Sequence, residues 1–507
     1  MSIMGLDIGT TGVKAVAFTE EGKLITSAYR EYPMHSPREG SLELDPREVL
    51  AGAKEVVGAV CAETSSDPVK SMAISTLGEA AVPVDANHEV LGNAIIGFDS
   101  RGQLEKEAFE KKITNEDGFA RTGHGINSYH TLFKIMWRRD HEPELYKNVK
   151  HFLTFSDFII SQLGLEPRID HSNASRTLAF DIQQRDWSQP ILDAAGIENV
   201  FAEPIAPGDV AGTVGKNDFG LPEGCVVAGG LHDQPAGILG AGIRPGESML
   251  ATGTVACLGI RLDSPPEAGP MIENNLCYYP TFGQDQWVAL AWNFTGGSLL
   301  RWFRDQLGAE DCVAAEQRGV DPYEVICSDL PEDPTGLLVL PHFTTAGTPS
   351  FDSKALGAIL GLRLTTTRKE ITKAILEGVA YEIQLNAALL ANAGIHINLY
   401  KAIGGAAKSP VWLQIFADIL NTPVAQLEVT EGAALGVALL GAHGAGIHPS
   451  EDAINAVIEN QTREGLMFEP DARRAEQYAE RGAIYADIYP STRGMTHRIF
   501  DLVARGG

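Results

Sequence analysis

The chain carries little that would tie it to a structural metal, a membrane or a nucleic acid. Its six cysteines (Cys61, Cys225, Cys257, Cys277, Cys312 and Cys327) are scattered and show no Cys-x-x-Cys spacing. That excludes a zinc-ribbon type of site and a disulfide framework, and reads as the free thiols of a reducing compartment. No apolar run is long enough to span a bilayer. The N-terminus lacks the charged, apolar and small segments of a signal peptide. Met1 leads almost directly into the first strand, so the expected location is the cytoplasm. Positive charge is scarce, 40 Lys and Arg against 66 Asp and Glu, for a net charge of −26. This balance excludes nucleic acid and anionic membrane surfaces as expected partners. A phosphate ligand stays open, because a local nest of N–H and O–H donors binds an anion inside an acidic protein.

What is present is an α/β chain of 507 residues with 44 % apolar content, enough for roughly two to four domains. The stretch Met4 to Phe18 organises it. An apolar run containing Asp7 leads to Gly9-Thr10-Thr11-Gly12, then Lys14, then a second apolar run. This is strand, tight turn, strand. The tip offers bare backbone N–H groups, two hydroxyls and a lysine, which suits phosphate oxygens; it equally fits an ordinary solvated hairpin. It is not a P-loop, since Val13 to Phe18 reads as a strand rather than a helix.

Further along, Lys23 to Tyr32 reads as a third strand. Asp45-Pro46 starts a helix, with Asp as N-cap and Pro at the first helical position. Val69 to Ser75 and Ala94 to Arg101 read as strands, Gln103 to about Leu163 as helical, and Asn173 to Arg176 as a polar loop. Val226 to Gly230 is a buried strand that delivers Leu231-His232-Asp233-Gln234 to an Ala/Gly-rich helix. A break at Pro245-Gly246 marks a domain boundary. Beyond it the opening pattern returns, with Ser248 to Ile260 as strand, Gly253-Thr254 turn, strand. Ala355 to Leu362 reads as a strand and Lys369 to Ala393 as a long helix. Ala402 to Ser409 is a strand running into the Gly404-Gly405 turn, and Pro410 opens a helix ending near Leu420. Glu431 begins another Ala/Gly-rich helix. The segment from Arg473 is charged and helical, with an end expected to fray. Duplicated halves with a cleft between them are a natural place for a ligand.

Asp7 with Gly9 to Gly12, then Gly230 to Gln234, then Gly253-Thr254, then Gly404-Gly405 with Ser409-Pro410-Val411-Trp412 resembles, in order and spacing, the FGGY carbohydrate kinases. That group includes xylulokinase, glycerol kinase and gluconokinase. The resemblance runs from about residue 3 to residue 446. Tyr129 to Trp137, with Lys134 and Trp137, is similar to the family's first signature region, Gly357 to Gly378 to the second, and Gly404 to Ala417 to its adenosine-binding segment. The resemblance implies two actin-like (ribonuclease H-like) domains, each a mixed sheet flanked by helices, with a cleft between. Residues 1–246 would bind the sugar and carry the catalytic Asp, 247–490 would bind ATP, and 491–507 would form a tail. It implies ATP-dependent phosphorylation of a small sugar, ketose, polyol or sugar acid, with ATP and Mg²⁺ required and a homodimer as the assembly.

Phosphoryl transfer needs positioning, charge neutralisation and a base for the attacking hydroxyl. Asp233 matches the family's catalytic Asp; read from local pattern alone, it is equally an N-cap. Asp7, inside an apolar strand, needs a partner. That partner is either the Mg²⁺ of MgATP, shared with Asp233, or the turn amides. Thr10, Thr11 and Lys14 would face the transferred phosphate, with a solvated position as the alternative for Lys14. Gly253 and Thr254 would hold phosphates from the other side. Gly404, Gly405 and Ser409 would lie against the nucleotide, or form a plain strand-to-helix turn capped by Ser409. For the sugar, Glu79, Asp99 and Arg101 are candidates for hydroxyl recognition. Asp99 and Arg101 read alternatively as a local ion pair, and His232 either touches substrate or fills its turn. Here the chain departs from its relatives. Xylulokinases carry Gln-Met-His-Gly in the region of Thr76 to Ala80 and Trp-Asn-Asp at Gly97 to Asp99. Glycerol kinases carry Arg-Glu in the first region, where this chain has Gly78 and Glu79. Rival readings are an actin-like ATPase and a sugar sensor that binds without phosphorylating.

Overall fold

The computed structural model describes residues 1–38, 40–428 and 431–506; Gly507, the last residue of the expected tail, lies outside it. Strands β1 (Ser2–Ile8) and β2 (Gly12–Thr19) form the opening hairpin, paired from Ser2–Thr19 to Ile8–Val13. β3 (Leu24–Glu31) continues it antiparallel. Helix α1 (Pro46–Glu63) follows, and Asp45 caps it by accepting from the Arg47 N–H at 2.9 Å. It crosses to β4 (Val69–Thr76), parallel to β1. Both β1 and β4 are apolar and buried along nearly their whole length, as central strands covered on two faces must be.

Helix α2 (Thr131–His141) and the short α3 (His171–Arg176) belong to material inserted before the sheet resumes. Strands β5 (Val210–Thr213), β6 (Val226–Ala228) and β7 (Leu231–His232) then lead into α4 (Asp233–Gly240). The first sheet runs β5-β6-β4-β1-β2-β3, with β7 also on β4.

The second half repeats the plan. Strands β8 (Glu247–Thr252) and β9 (Ala256–Leu262) form a hairpin, followed by β10 (Cys277–Pro280) and β11 (Trp287–Asn293). Next come α5 (Gly297–Leu307), α6 (Arg368–Asn392), β12 (Leu399–Gly404), α7 (Pro410–Leu420) and β13 (Val424–Glu428). Then follow α8 (Gly432–Gly444), β14 (Arg463–Phe468), α9 (Ala472–Ala486) and α10 (Ile488–Gly506). In the order β10-β11-β9-β8-β12-β13-β14, strands β8, β9, β11 and β12 stand in the places of β1, β2, β3 and β4; β10 is an added edge strand, and the outer strand β14 follows its neighbour in the chain whereas β5 precedes β6. α6 is the described helix long and apolar enough by composition to cross a bilayer. It is mostly buried here and packs on the second sheet through residues such as Leu376, Val379 and Ile383.

Four local expectations need correction. Of Ala94 to Arg101 only Ala94–Ile95 is strand, because the Asp99 carboxylate draws the Leu42 and Arg101 N–H groups to itself at 2.6 and 2.8 Å and curls the chain into a turn. Of Ala355 to Leu362 only Ala358–Leu360 is strand, and Gly361 turns away at φ +90°. The helical stretch up to Leu163 is interrupted by a strand at His151–Thr154, paired with Ala81–Val84. Asn173 to Arg176 is helix rather than loop, because Asp170 caps α3 by accepting from the Ser172 and Asn173 N–H groups. The C-terminal segment is docked. Asp352 accepts from the Tyr489 hydroxyl at 2.6 Å and from Arg493 Nε at 3.1 Å, and lies 2.7 Å from His497 Nε2.

The halves are joined by α8, which leaves the second half and packs on β1, β4 and α4 of the first. The approach is backbone to backbone. A Cβ at Gly5 would lie 2.0 Å from the Ala434 carbonyl oxygen, and one at Gly240 would lie 1.8 Å from that of Gly432. Neither obstacle is a flexible side-chain end, so the helix must move if a methyl is added. Gly5→Ala should therefore destabilise the protein by about 1–3 kcal/mol, read as a lower urea midpoint. Gly215→Ala, where a Cβ meets nothing within 4 Å, should leave the midpoint unchanged.

Candidate active site

Two cavities stand out, one between the halves and one within the second half. The first, about 180 Å³, lies at the C-terminal ends of β1, β4 and β7. Its floor is Asp233, the first residue of α4, with Thr10, Glu79, Arg176 and His232 around it and Trp292 and Phe294 closing it from the second half. The second, about 690 Å³, is lined by the β8–β9 turn (Gly253, Thr254), the start of α5 (Gly297, Ser298) and the β12–α7 connection (Gly405, Lys408, Ser409).

The tip of each hairpin is built by its own backbone. In the first, the Gly9 N–H donates to the Gly12 carbonyl at 2.9 Å, and the Tyr32 hydroxyl donates to the Gly9 and Gly12 carbonyls. In the second, the Gly253 N–H donates to Val255 at 3.0 Å, and the start of α5 backs onto the turn, Gly297 N–H to Gly253 O at 2.8 Å and Ser298 Oγ to Thr254 O at 2.7 Å. These bonds commit the first N–H groups of α5 to the turn carbonyls, so the helix start braces the turn. Ser409 caps α7, accepting from the Trp412 N–H at 3.4 Å. Gly404 adopts φ +84°, and a Cβ there would lie 2.9 Å from Thr252 O. It shapes the turn, while Gly405 and Ser409 line the cavity.

Asp233 is not an N-cap. His232 holds that position, and no side-chain cap bond is made. The Asp233 side chain keeps 37 % of its surface open to the cleft, yet Oδ1 has no hydrogen-bond partner. His232 Nε2 lies 3.1 Å from it without hydrogen-bond alignment. Burial at the closed end of the cleft, reinforced by the charges of Asp7 and Glu79, pushes the Asp233 carboxyl up to about 7. Asp7 is raised as well, by burial first, although Ser75 Oγ donates to its Oδ1 at 2.7 Å. No group of three or more metal-ligating side chains converges among the described residues. The donor set, the Asp7 and Asp233 carboxylates, fits a hydrated Mg²⁺ arriving with nucleotide phosphates, since that ion keeps several waters and takes one or two carboxylates.

The remaining candidates divide. Thr10 lines the sugar-sized cavity, and Thr11 stands exposed at the hairpin tip. Lys14 is neither free nor simply solvated: it is ion-paired with Glu431, the residue before α8. Glu79 lines the cavity in a left-handed conformation, φ +64°. Asp99 and Arg101 are absent from its walls. Burial alone would raise Asp99, but the Arg101 side chain and the Leu42 and Arg101 amides outweigh it and hold the carboxyl below the ordinary range. Arg101 also pairs with Glu43 at 2.8 Å and stacks on Trp137. Lys134, pushed down to about 8 by burial, donates to the Asp99 and Arg101 carbonyls at 2.8 and 2.5 Å. This knot fastens the 97–101 turn, which presents Gly97 and Phe98 to the cavity. His232 fills its turn and walls the cavity. Its N–H donates to Ser172 Oγ at 2.8 Å, its Nδ1 meets the Tyr279 hydroxyl at 2.9 Å, and burial keeps it neutral. A Cβ at Gly78 would lie 2.9 Å from His232 Nε2, so the glycine makes room for this imidazole.

Sequence reading gave no role to Arg176, Trp292, Phe294 or the start of α5. Arg176 is ion-paired with Glu79 although 97 residues separate them, and no local pattern announces such a pair. The Gly296-Gly297-Ser298 opening of α5, directly after a strand and a short loop, was a usable signal.

The Asp233 carboxyl titrates near 7 when folded against about 3.9 unfolded. The folded form therefore holds the extra proton in that window, and stability falls as pH rises through it. Asp233→Asn should raise the melting temperature, with a larger gain at pH 8 than at pH 5. An equal gain at both would show that the carboxyl is not shifted.

Comparison with known proteins follows the same outline. The FGGY family of carbohydrate kinases, N-terminal domain, matches residues 2–240, and its C-terminal domain matches residues 249–445. A glycerol kinase of Thermus brockianus is 31% identical over 495 residues, covering 94% of this chain and 96% of the relative. A xylulose kinase of Bacillus subtilis is 27% identical over 500 residues, covering 97% of each. The structure of a xylulose kinase from Rhodospirillum rubrum superimposes with a TM-score of 0.85 at 26% identity, covering 98% of this chain and 100% of that one.

Proposed function

This chain belongs to the FGGY family of carbohydrate kinases and is an ATP-dependent carbohydrate kinase; we propose that it phosphorylates a neutral sugar or polyol, with Asp233 as the general base. The observation that carries the base assignment is the Asp233 carboxylate on the wall of the smaller cavity, its side chain partly open to the cleft and its buried Oδ1 without a hydrogen-bond partner. A carboxyl titrating near the working pH is suited to take a proton.

The neutrality of the substrate follows from the charges around it. Among the described residues lining the cavity, Arg176 is the one lysine or arginine, and Glu79 already neutralises it. Lys14 is engaged by Glu431, and Lys134 and Arg101 by the 97–101 turn. Asp233 and the nearby Asp7 add negative charge. A substrate carboxylate would enter without an uncommitted cation to meet it, and that is costly in a desolvated pocket. Hydroxyls can use Glu79 and Asp233 as acceptors, while Tyr129 and Trp292 supply apolar wall for the carbon chain.

With sugar in the smaller cavity and ATP in the larger, Asp233 accepts the proton of the attacking hydroxyl. That oxygen bonds to the γ-phosphorus as the bond to ADP breaks. Thr10, Thr11 and Thr254 donate to the transferring phosphoryl group from the two hairpin tips, Gly253 shapes the second tip, and the start of α5 supports it. A Mg²⁺ carried by ATP would be held by Asp7 and Asp233 and would neutralise phosphate charge. Closing the cleft excludes water, which would otherwise compete as acceptor. Cys257 also lines the smaller cavity; burial pushes its thiol up, which keeps it protonated and a poor nucleophile.

The test is coupled ADP release with xylulose, ribulose, erythritol, glycerol and gluconate. A neutral compound should stimulate release and gluconate should not. Asp233→Ala should lose about 10²–10⁴-fold in kcat. Wild-type kcat/KM should fall as pH drops below about 7, where Asp233 becomes protonated. Gluconate as the preferred acceptor would overturn the neutral-substrate reading. Full activity of Asp233→Ala would overturn the base assignment.

A further inference from the structure

The guanidinium of Arg176 sits between the two halves in a way that hydroxyl binding alone does not require. Its NH2 donates to Glu79 Oε1, while Nε and NH1 have no hydrogen-bond partner although the side chain is buried. Three aromatic rings surround it, with the Cys277 thiol beside them. Its central carbon lies 5.6 Å from the ring centre of Tyr129, 5.8 Å from Tyr279 and 5.9 Å from Trp292. Tyr129 belongs to the first half, and Tyr279 and Trp292 belong to β10 and β11 of the second. The ring quadrupoles therefore replace the missing hydrogen bonds as the compensation for a buried cation.

Glu79 needs outside help to hold its place. It is a non-glycine residue at φ +64°, fastened through its carbonyl by Thr131 Oγ1 at 2.7 Å. Its Oε1 is taken by Arg176. A Cβ built on Gly97, itself a cavity residue, would come 3.2 Å from Oε2, so this second oxygen borders the cavity where a substrate hydroxyl would sit.

We propose that Arg176 is a positioning residue that links sugar binding to cleft closure: it aims Glu79 at the substrate from the first half and is seated by the Tyr279 and Trp292 rings of the second. Full seating of the cation needs both halves together. A substrate that hydrogen-bonds Glu79 thus favours the arrangement in which the rings close over Arg176. This inference rests on the kinase reading above and concerns the acceptor side of the reaction alone.

The experiment is steady-state kinetics of the full-length enzyme with whichever acceptor the wild type turns over, so that a failure of the neutral-substrate reading stays separate from a failure of this one. Arg176→Gln should raise the KM for the acceptor at least tenfold and leave the KM for ATP within about twofold. Arg176→Lys, which keeps charge but loses the flat fork, should recover only part of the loss. The double variant Glu79→Gln with Arg176→Gln should cost little more than the worse single one. If Arg176→Gln does not fold, Tyr279 supplies the test: Tyr279→Leu should raise acceptor KM more than Tyr279→Phe, which keeps the ring. Unchanged acceptor KM in Arg176→Gln, equal rises in acceptor and ATP KM, or full multiplication of the Glu79 and Arg176 effects would overturn the proposal. Equal effects of Tyr279→Leu and Tyr279→Phe would do the same for the aromatic seat.

Discussion

One uncompensated carboxylate governs the arrangement of this cleft. Almost every other charge near it is committed. Glu79 has Arg176, Lys14 has Glu431, Asp99 has Arg101, and Asp7 has the Ser75 hydroxyl. Asp233 alone of this set has a buried oxygen without a hydrogen-bond partner. A buried carboxylate left in that state is destabilising, and its raised titration is the sign of that cost. The same cost is what makes it ready to accept a proton. The neighbouring pairs keep other cations from neutralising it, so their placement belongs to the chemistry as well as to the fold.

The cleft exists because two copies of one sheet plan face each other, and the joint combines a buried apolar cluster, including Ile3, Phe18, Leu435 and Leu439, with close backbone contacts. Where α8 crosses onto β1 and α4, glycine and alanine let backbones meet, as at Gly5 with Ala434 and at Gly240 with Gly432. Such a joint leaves the two hairpin tips, Gly9 to Gly12 and Gly253 to Val255, aimed into the same space. The apolar contacts that span the mouth are aromatic. Phe98 of the first half meets Phe294 of the second at 5.9 Å, and Tyr129 meets Trp292 at 6.4 Å. Rings tolerate small sliding motions and still exclude water, which suits a cleft that must admit a sugar and then close on it.

Much of this was legible in the residues, for physical reasons. Both hairpins are local, with their turns written in glycine and threonine, and the helix starts at Asp45-Pro46 and Ser409-Pro410 are set by capping chemistry within a few positions. Asp233 could be placed at a strand end because the apolar run before it and the Ala/Gly helix after it leave one geometry. What escaped was non-local or polar. The Ala94 to Arg101 strand dissolved because the Asp99 carboxylate accepts the backbone N–H of Leu42, 57 residues away. Asp99 and Arg101, candidates for hydroxyl recognition with a local ion pair as the alternative, are paired with one another. Arg176 escaped because its partners Glu79, Tyr279 and Trp292 come from three distant segments. The exchange of a bulkier residue for Gly78 makes sense only once His232 is seen filling the space above it.

The central claim is that the sugar oxygen attacks ATP directly, with Asp233 taking its proton and no side chain carrying the phosphoryl group between. The stereochemistry at phosphorus tests this most directly. ATP made chiral at the γ-phosphorus with oxygen and sulfur isotopic labels would be turned over once with the preferred acceptor, and the configuration of the sugar phosphate determined. The account predicts inversion, as a single in-line displacement requires. Retention would mean two displacements through a phosphorylated residue of the protein, and would contradict it.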